Sequence, residues 1–429
     1  MNNVRDFGAA GDGVTKDTAA IQRAIDAGGM AYFPPGVYLT GTLFLRSRGG
    51  LELSPGAVIL GSSDRADYNA DDFCPQNRVF RQEHVSGAHL IVGLELENVV
   101  IRGGGRIDGN REKIYPVQDD HDKIWSTPIE WRPGQMVYLC ECTGVSISDV
   151  EMVNATYWTC FLHGCEEVLI RGVRIYNHPH TRNGDGIDLD CCRFVTVSDC
   201  IIDSGDDCIT LRGFDEPLKV KRACEFITIN NCILKTICNG FRIGVGNGKV
   251  RCCTISNCVV HHSRIGICIV SKYSPVAGVL IEDISFENIR IEAERPINIQ
   301  TNAWGRSLGP SFQPIRNLSF HHLRGKGSVA SLIQGYAAGD VGEMTFSDIV
   351  FDYFGGEKVI VCDDYFEGTR NSPPAAFFLE NVSDIAFDQV RIRWQTGHDA
   401  WRHDLMTVNS NRIETRDCVF PKGVFSLEK

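Results

Sequence analysis

The chain has 429 residues, 43% of them hydrophobic, and a formal net charge of -11 at pH 7. No apolar run approaches the ~18 residues that a membrane-spanning helix needs, and neither Lys nor Arg forms a run, which argues against a helical membrane protein and against nucleic acid or an anionic surface as partner. The opening Met1-Asn-Asn-Val-Arg-Asp-Phe-Gly8 lacks the charged head and apolar stretch of a secretory signal, so a cytoplasmic address is expected.

In chain order, Val4 to Gly13 is a Gly-rich turn region. It is not a phosphate cradle, because no Lys-Ser/Thr follows and a short helix comes next. That helix is predicted to take Asp17 as its N-cap, to carry Ile21, Ala24 and Ile25 on one face, and to stop at Gly28-Gly29. It would cap the open end of a solenoid, as a terminal repeat must. Short alternating strands between Gly and Pro turns then follow from Met30.

From residue 96 a repeat is plain. Leu96-Glu-Asn-Val-Val-Ile101, Cys142-Thr-Gly-Val-Ser-Ile147, Cys165-Glu-Glu-Val-Leu-Ile170, Cys192-Arg-Phe-Val-Thr-Val197 and Cys224-Glu-Phe-Ile-Thr-Ile229 share one pattern, with offsets of 23, 27 and 32 residues from Cys142 to Cys224. About that many residues make one coil of a three-sheet parallel β-helix. The expected fold is therefore all-β, a right-handed parallel β-helix with a short N-terminal capping helix. Residues 1–429 are read as a single domain, because each repeat of a solenoid contacts only its neighbours and such folds run long. Its N-terminal coils span about 30–95, its central coils, the ones expected to carry the chemistry argued below, 96–300, and its C-terminal coils and loops 301–429. Weaker coils are predicted at 279–291, 318–323, 344–351 and 382–392, and irregular insertions near 64–90, 110–134, 301–315, 354–375 and 394–410. Loops of that length usually build the binding face.

Eighteen cysteines suggest at first a disulfide or metal protein. No Cys-x-x-Cys pair recurs at ligand spacing, and Cys191-Cys192 and Cys252-Cys253 are poor tetrahedral chelators, so zinc is not expected and no cofactor is assigned. The positions fit stacking instead. Cys142, Cys165, Cys192 and Cys224 form one series and Cys200, Cys232 and Cys258 another, behaving as small buried hydrophobes. Reduced ladders agree with the cytoplasmic address.

The chemistry concentrates in residues 183–211. Asp185-Gly-Ile-Asp-Leu189 and Asp207-Cys-Ile-Thr-Leu211 are near copies, offset by 22 residues. One coil of offset stacks them one strand spacing, ~4.8 Å, apart, which brings Asp185, Asp206 and Asp207 onto one face. A Ca2+ site or solvated turn carboxylates is the plain alternative, but Ca2+ would want several carbonyl or Asn ligands in one loop. Asp188 is expected to support a turn. Stacked by their apolar strand positions, Leu139, Leu162, Leu189, Leu211, Ile243 and Ile269 form an inward column. Four residues earlier stand Gln135, Trp158, Asp185, Asp207 and Asn239, which would set Asn239 above the acids.

The set Asn183-Gly-Asp185, Gly205-Asp206-Asp207 and Asn239-Gly-Phe-Arg-Ile-Gly244, within these coils, resembles glycoside hydrolase family 28, the polygalacturonases and their relatives. The amino end, Asp6-Phe-Gly-Ala-Ala-Gly-Asp-Gly13 through Phe33-Pro-Pro-Gly-Val-Tyr-Leu-Thr-Gly-Thr-Leu43, is similar to bacterial members. The resemblance covers most of residues 3–300. The family motifs are Asn-Thr-Asp, Gly-Asp-Asp, Gly-His-Gly and Arg-Ile-Lys. Here the acids are kept, the histidine falls at about Asn239, and the cationic motif falls on Cys268-Ile-Val270. Arg242 stands in the family arginine's column one coil early, and Lys272 is a partial substitute for the lysine. The resemblance implies Asp206 as general acid, with Asp185 and Asp207 holding the water as base, and hence inversion at the anomeric centre.

Asn183, Asn239, Arg242, Lys272 and Trp158 are the expected substrate-binding residues, Trp158 by stacking on a sugar. His178 and His180, flanking Pro179, are read as exposed loop residues. The function expected is an inverting, exo-acting glycosidase on pectin-type oligosaccharides, galacturonan or rhamnogalacturonan. Loss of the cationic motif leaves room for a neutral terminal sugar such as rhamnose, or for a β-helix that binds glycans without cleaving them. Retention of three mutually repelling carboxylates favours the enzyme. The partner is then an oligosaccharide substrate, with neither nucleic acid nor membrane, and no oligomeric state is read from the pattern.

Overall fold

Three short strands and three corners make one coil, and the coils stack strand on strand. The computed structural model describes residues 1–77, 83, 85–114, 131–273, 278–302, 313–354, 373–395 and 401–427. Parts of the expected insertions, 115–130, 303–312, 355–372 and 396–400 among them, lie outside these residues. The chain divides into two compact units, Met1–Ile209 with Asp215–Arg222, and Thr210–Phe214 with Ala223–Lys429. Each is a parallel β-helix of the right-handed kind expected, the hand that parallel crossovers take.

In the first unit Val137–Cys140, Thr143–Ser148 and Glu151–Val153 form one coil; Cys160–His163, Glu166–Arg171 and Arg174–Tyr176 form the next; Ile187–Asp190, Arg193–Ser198 and Ile201–Ser204 form the third. Every pairing is parallel and holds its register: Val137, Cys160 and Ile187 are partners, as are Val145, Val168 and Val195, and Glu151, Arg174 and Ile201. The middle strands bury alternate residues, so Val168 and Ile170 face the core while Glu167 and Leu169 face solvent. The first strands do not alternate. All four residues of Val137–Cys140, Cys160–His163 and Ile187–Asp190 are buried, which means that both faces of this sheet are covered.

The second unit repeats the plan. The coils expected beyond residue 279 are present, in Leu280–Glu287, Ile315–His321, Val341–Ser347 and Val382–Asp388, paired in parallel in that order. Their cores contain a ladder the sequence reading did not pick out. Phe286, Phe320, Phe346 and Phe387 stack in turn with ring centroids 5.1, 4.7 and 5.0 Å apart. Such pairs add ~0.5–1.5 kcal/mol each beyond the area they bury.

Two of the three corners are very short. In the three coils above, two residues join the first strand to the second and two join the second to the third. Each of these corners has a residue at positive φ: Glu141, Gly164 and Cys191 at the first, Asp149, Gly172 and Asp199 at the second. A further left-handed residue, Gly144, Glu167 or Phe194, sits just inside each middle strand, where it bends the chain. The third corner varies freely, with residues 154–159, 177–186 and 205–208.

The helix is Thr18–Asp26, with Ala20, Ile21, Ala24 and Ile25 buried. Asp17 occupies the N-cap position but makes no side-chain cap. Its carboxylate instead accepts hydrogen bonds from Ala10 N at 2.7 Å and Gly11 N at 2.9 Å, tying down the Gly-rich turn before it. All 17 described cysteines are free thiols. The ladder is present within each unit: the Cys165 thiol bonds with those of Cys142 and Cys192, and Cys258 with Cys232. Burial holds the Cys165 thiol well above its ordinary pKa, so these sulfurs are inert packing atoms. Thiol titration of the chain denatured without reductant is therefore expected to find all 18 cysteines reactive, and a shortfall in pairs would place disulfides in the molecule.

Candidate active site

The acidic residues sit on the third corner, where two coils in succession turn back toward the first sheet. Backbone hydrogen bonds set their stacking: Thr159 N donates to Asp185 O at 3.0 Å, and Gly186 N donates to Asp207 O at 2.8 Å. In a parallel ladder these bonds put Trp158, Asp185 and Asp207 on one column, as the apolar register predicted. Gly205 N, 3.0 Å from Gly184 O, joins the two corners. A carboxylate oxygen of Asp206 lies within 4.8 Å of one of Asp207. Asp185 is 4% exposed and Asp207 9%, while Asp206 is half-buried.

Asn183 adopts φ 56, a left-handed conformation that Asn tolerates. In that pose its N–H donates to Asp206 Oδ2 at 3.2 Å. The corner 177–186 is fixed further by Asn177, which is buried and donates from Nδ2 to Thr159 Oγ1 at 2.6 Å and to Gly184 O at 3.3 Å. A Cβ on Gly205 would meet His178 O at 2.7 Å and Thr181 O at 2.8 Å, so the residue before the Asp206-Asp207 pair has no room for a side chain.

Two buried arginines hold this corner from outside the coils, and sequence reasoning missed both. Arg132 donates from Nη1 to Thr156 O at 2.6 Å and Arg182 O at 2.7 Å, and from Nη2 to Glu83 O at 3.0 Å and Asn183 Oδ1 at 3.3 Å. Its guanidinium lies 4.8 Å from the Tyr157 ring centroid. Arg111 donates to Thr181 Oγ1. Both are fully buried. They come from the insertion around 110–134, where no periodicity marks a position as structural.

The outward face of the coils that precede the acids is filled. Tyr138, Trp158, Phe161, Val85 and Leu218 belong to one buried cluster, and His89 stacks on Tyr138 at 4.4 Å. Trp158 is stacked on Tyr157 at 4.8 Å and tilted against Phe161 at 5.1 Å. It is a wall residue here, and a sugar stacked on it would have to displace a neighbouring ring. Asp188 is buried in the strand Ile187–Asp190 and registers with Phe161; it does not support a turn, because the turn begins only after Asp190. His180 is exposed and His178 partly so.

In the second unit Asn239, Arg242 and Lys272 are all buried. Asn239 registers with Ile265, Arg242 with Cys268 and Lys272 with Asn302, so Arg242 does share a column with the cysteine that stands at the cationic motif. Arg242 Nη1 donates to Ile243 O at 2.8 Å, and its guanidinium lies 5.1 Å from the Tyr273 ring centroid. Arg242 is 2% exposed, yet Nη2 has no hydrogen-bond partner among the described residues.

One donor set in the first unit was invisible to spacing rules. His163, Asp190 and Cys191, all buried, bring one ligand atom each within 4.8 Å of one another. They come from two coils, so no linear motif marks them, and N, O and S donors together suit a transition metal.

Residues 76–369 match the Glycosyl hydrolases family 28 profile. A probable polygalacturonase of Vitis vinifera is 30% identical over 223 residues, which is 49% of this chain and 44% of that protein. An exo-poly-alpha-D-galacturonosidase of Dickeya chrysanthemi is 30% identical over 250 residues, 48% of this chain and 41% of that one. The chain thus spans under half the length of these two relatives. The solved structure of the family 28 exopolygalacturonase of Yersinia enterocolitica superposes with a TM-score of 0.72 at 18% identity, over 96% of this chain and 77% of that one, a likeness of fold.

The cluster beside the acids carries a pH dependence. His89 is fully buried, with Nδ1 3.1 Å from Gln135 O and Nε2 3.0 Å from Asn77 Oδ1. Burial pushes its pKa down to about 3, against an ordinary 6.5, so the folded protein keeps it neutral. Between those values the unfolded chain binds a proton that the folded one does not, and stability falls as pH drops from 6.5 toward 3. The slope from this group is at most about 1.4 kcal/mol per pH unit. His89→Gln is expected to flatten the acid limb of Tm against pH, and an identical limb would assign the acid sensitivity to other groups.

Proposed function

The chain belongs to glycosyl hydrolases family 28, and from that premise we propose that it is a glycosidase that cleaves pectin-type oligosaccharides, galacturonan or rhamnogalacturonan, from a chain end with inversion. The observation that carries this reading is the convergence of Asp185, Asp206 and Asp207 on two successive third corners, joined by backbone bonds. Carboxylates crowded together raise the pKa of one member, so one keeps its proton for the leaving oxygen while another activates water. Half-buried Asp206 is the general acid in this proposal, its carboxyl oriented by Asn183 N. Buried Asp185 and Asp207 hold the water.

Exo action is supported by the filled face beside the acids. A polysaccharide running through the site needs an open groove on both sides of the scissile bond. Here the outward positions of the two coils before Asp185 are occupied by Tyr138, Phe161, Trp158 and their neighbours. A terminal residue would end against that wall. The names of the relatives agree, since the Dickeya chrysanthemi and Yersinia enterocolitica proteins are both exo-acting on polygalacturonate by name.

For the sugar, Arg242 is the residue of interest. A buried guanidinium with an unsatisfied N–H is costly, and a carboxylate ligand would satisfy it through a charge-assisted bond. This favours a uronide. The second reading, a neutral terminal sugar, draws support from the buried apolar run Cys268-Ile-Val270 at the position of the family's Arg-Ile-Lys.

Asp206→Asn is expected to lower kcat by about 10²- to 10⁴-fold, the range for a lost general acid. Asp185→Asn and Asp207→Asn should do the same with Tm kept or raised, because relieving repulsion at a strained site stabilises. Full activity in all three variants would place the chemistry elsewhere. NMR of the first product formed from an oligogalacturonide should show the inverted anomer and a short terminal product, and early mid-chain fragments would refute exo action. On a uronide, Arg242→Ala should raise KM by a factor reflecting roughly 1.5–3 kcal/mol; on a neutral sugar KM should scarcely move.

A further inference from the structure

One peptide group in the corner 177–186 is gripped at both ends. Its oxygen, Arg182 O, accepts a hydrogen bond from Arg132 Nη1 at 2.7 Å, and its hydrogen, on Asn183 N, is donated to Asp206 Oδ2 at 3.2 Å. No peptide bond among the described residues is cis, so C=O and N–H point in opposite directions in one plane. Fixing where the oxygen points therefore fixes where the hydrogen points, and Arg132 aims the donor that Asp206 accepts.

Arg132 can set that direction because it is itself held. It is fully buried. Nη1 also donates to Thr156 O at 2.6 Å, on the corner of the preceding coil, and Nη2 donates to Glu83 O at 3.0 Å. The guanidinium is a planar, rigid fork, so bonds on this many sides define its orientation. Nη2 also reaches Asn183 Oδ1 at 3.3 Å, the side chain of the residue that carries the N–H. Asn183 is left-handed, with φ 56, a conformation that costs energy for a residue with a side chain, and the paired grip on Arg182 O and Asn183 Oδ1 holds it there. The backbone of the acid is secured separately, by Gly205 N to Gly184 O at 3.0 Å and Ser204 Oγ to Asp206 O at 2.7 Å. A cation at the oxygen end also polarises the peptide and strengthens its N–H as a donor.

We propose that Arg132 is a positioning residue for Asp206, acting through the 182–183 peptide and not by contact with the sugar. The proposal rests on the reading of Asp206 as the general acid. An N–H donated to a carboxylate favours the ionised form. The polarised peptide thus opposes the crowding by Asp185 and Asp207, which favours the protonated form, and the balance of the two sets the pH at which Asp206 gives up its proton. In this arrangement Asn183 serves through its backbone N–H, where sugar contact was expected of it.

The test is the pH profile of kcat on trigalacturonate, together with a ¹³C NMR titration of the Asp206 carboxyl, assigned by its loss in Asp206→Asn. Arg132→Met removes every donor and should lower kcat by about 10- to 100-fold with KM held within about twofold. It should also move the basic limb and the carboxyl titration to higher pH, because the ionised form has lost its donor. Arg132→Lys, which keeps a cation but not the fork, should fall between Arg132→Met and the wild type. Asn183→Gly allows the left-handed backbone but removes Oδ1; it should move both readings the same way, and combined with Arg132→Lys it should do less than the sum of the two. If Arg132→Met fails to fold, these last variants decide. Folded variants that lose stability or activity while the carboxyl titrates at its wild-type pH would reduce Arg132 to a staple of the corner and overturn the proposal, as would effects in the double variant that simply add. The two readings fail separately. If no galacturonide is cleaved yet the titration moves with Arg132, the hydrolase reading falls and the peptide link stands; if cleavage requires Asp206 but its titration ignores Arg132, the reverse holds.

Discussion

The three coils from Val137 to Ser204 each turn two corners with almost no chain. A parallel ladder satisfies its backbone N–H and C=O groups only through the coils on either side, so each coil must reproduce its neighbour's register. A slip of one residue would send the whole inward set to the outside. The two-residue corners with a left-handed residue, at Glu141, Gly164 and Cys191 and again at Asp149, Gly172 and Asp199, supply that register. Left-handed backbone costs of order 1–3 kcal/mol for a residue with a side chain. That strain persists because ladders above and below determine it, as the unbroken columns of Val145, Val168 and Val195 testify.

The three carboxylates of the candidate site are placed on the third corner, which varies in length from coil to coil. Asp185, Asp206 and Asp207 are held by backbone bonds between adjacent coils and by the Asn183 N–H, so their mutual repulsion works against a rigid frame. What the frame lacks in side chains is supplied by Arg111 and Arg132, whose bonds reach Thr181, Arg182 and Asn183. Removing one partner of a buried charge leaves its acceptors unsatisfied. These arginines thus belong to the framework of the candidate site.

Much of this was legible in the sequence, and the reason is periodicity. The offset of 22 residues between the acidic motifs, and the apolar column four positions on, were enough to stack Trp158, Asp185 and Asp207. The coil lengths of 23 and 27 residues appear unchanged in the strand registers. The corners were not legible. Glu141, Cys191 and Phe194 are not turn residues by type, and only the fold forces them into positive φ. Asp17 had the right type and position for a helix cap, but the Gly-rich turn competes for its carboxylate and wins. Asp188 looked like turn chemistry because acids usually are, whereas the third-corner expansion displaces it into the strand. Arg111 and Arg132 come from aperiodic chain, where nothing separates an anchoring residue from a solvated one.

The unequal corners also separate two heritable properties. Residues added to the corner between the second and third strands, two residues long in each described coil from 149–150 to 389–390, would break the register of every later coil and be lost with the fold. Residues added to the third corner leave the ladder untouched, as its spans of six, ten and four residues in successive coils already demonstrate. Variation in a lineage built on this plan is thereby channelled to the edge that carries the candidate site. Stability is conserved by the corner that does not change, and the candidate site varies on those that do.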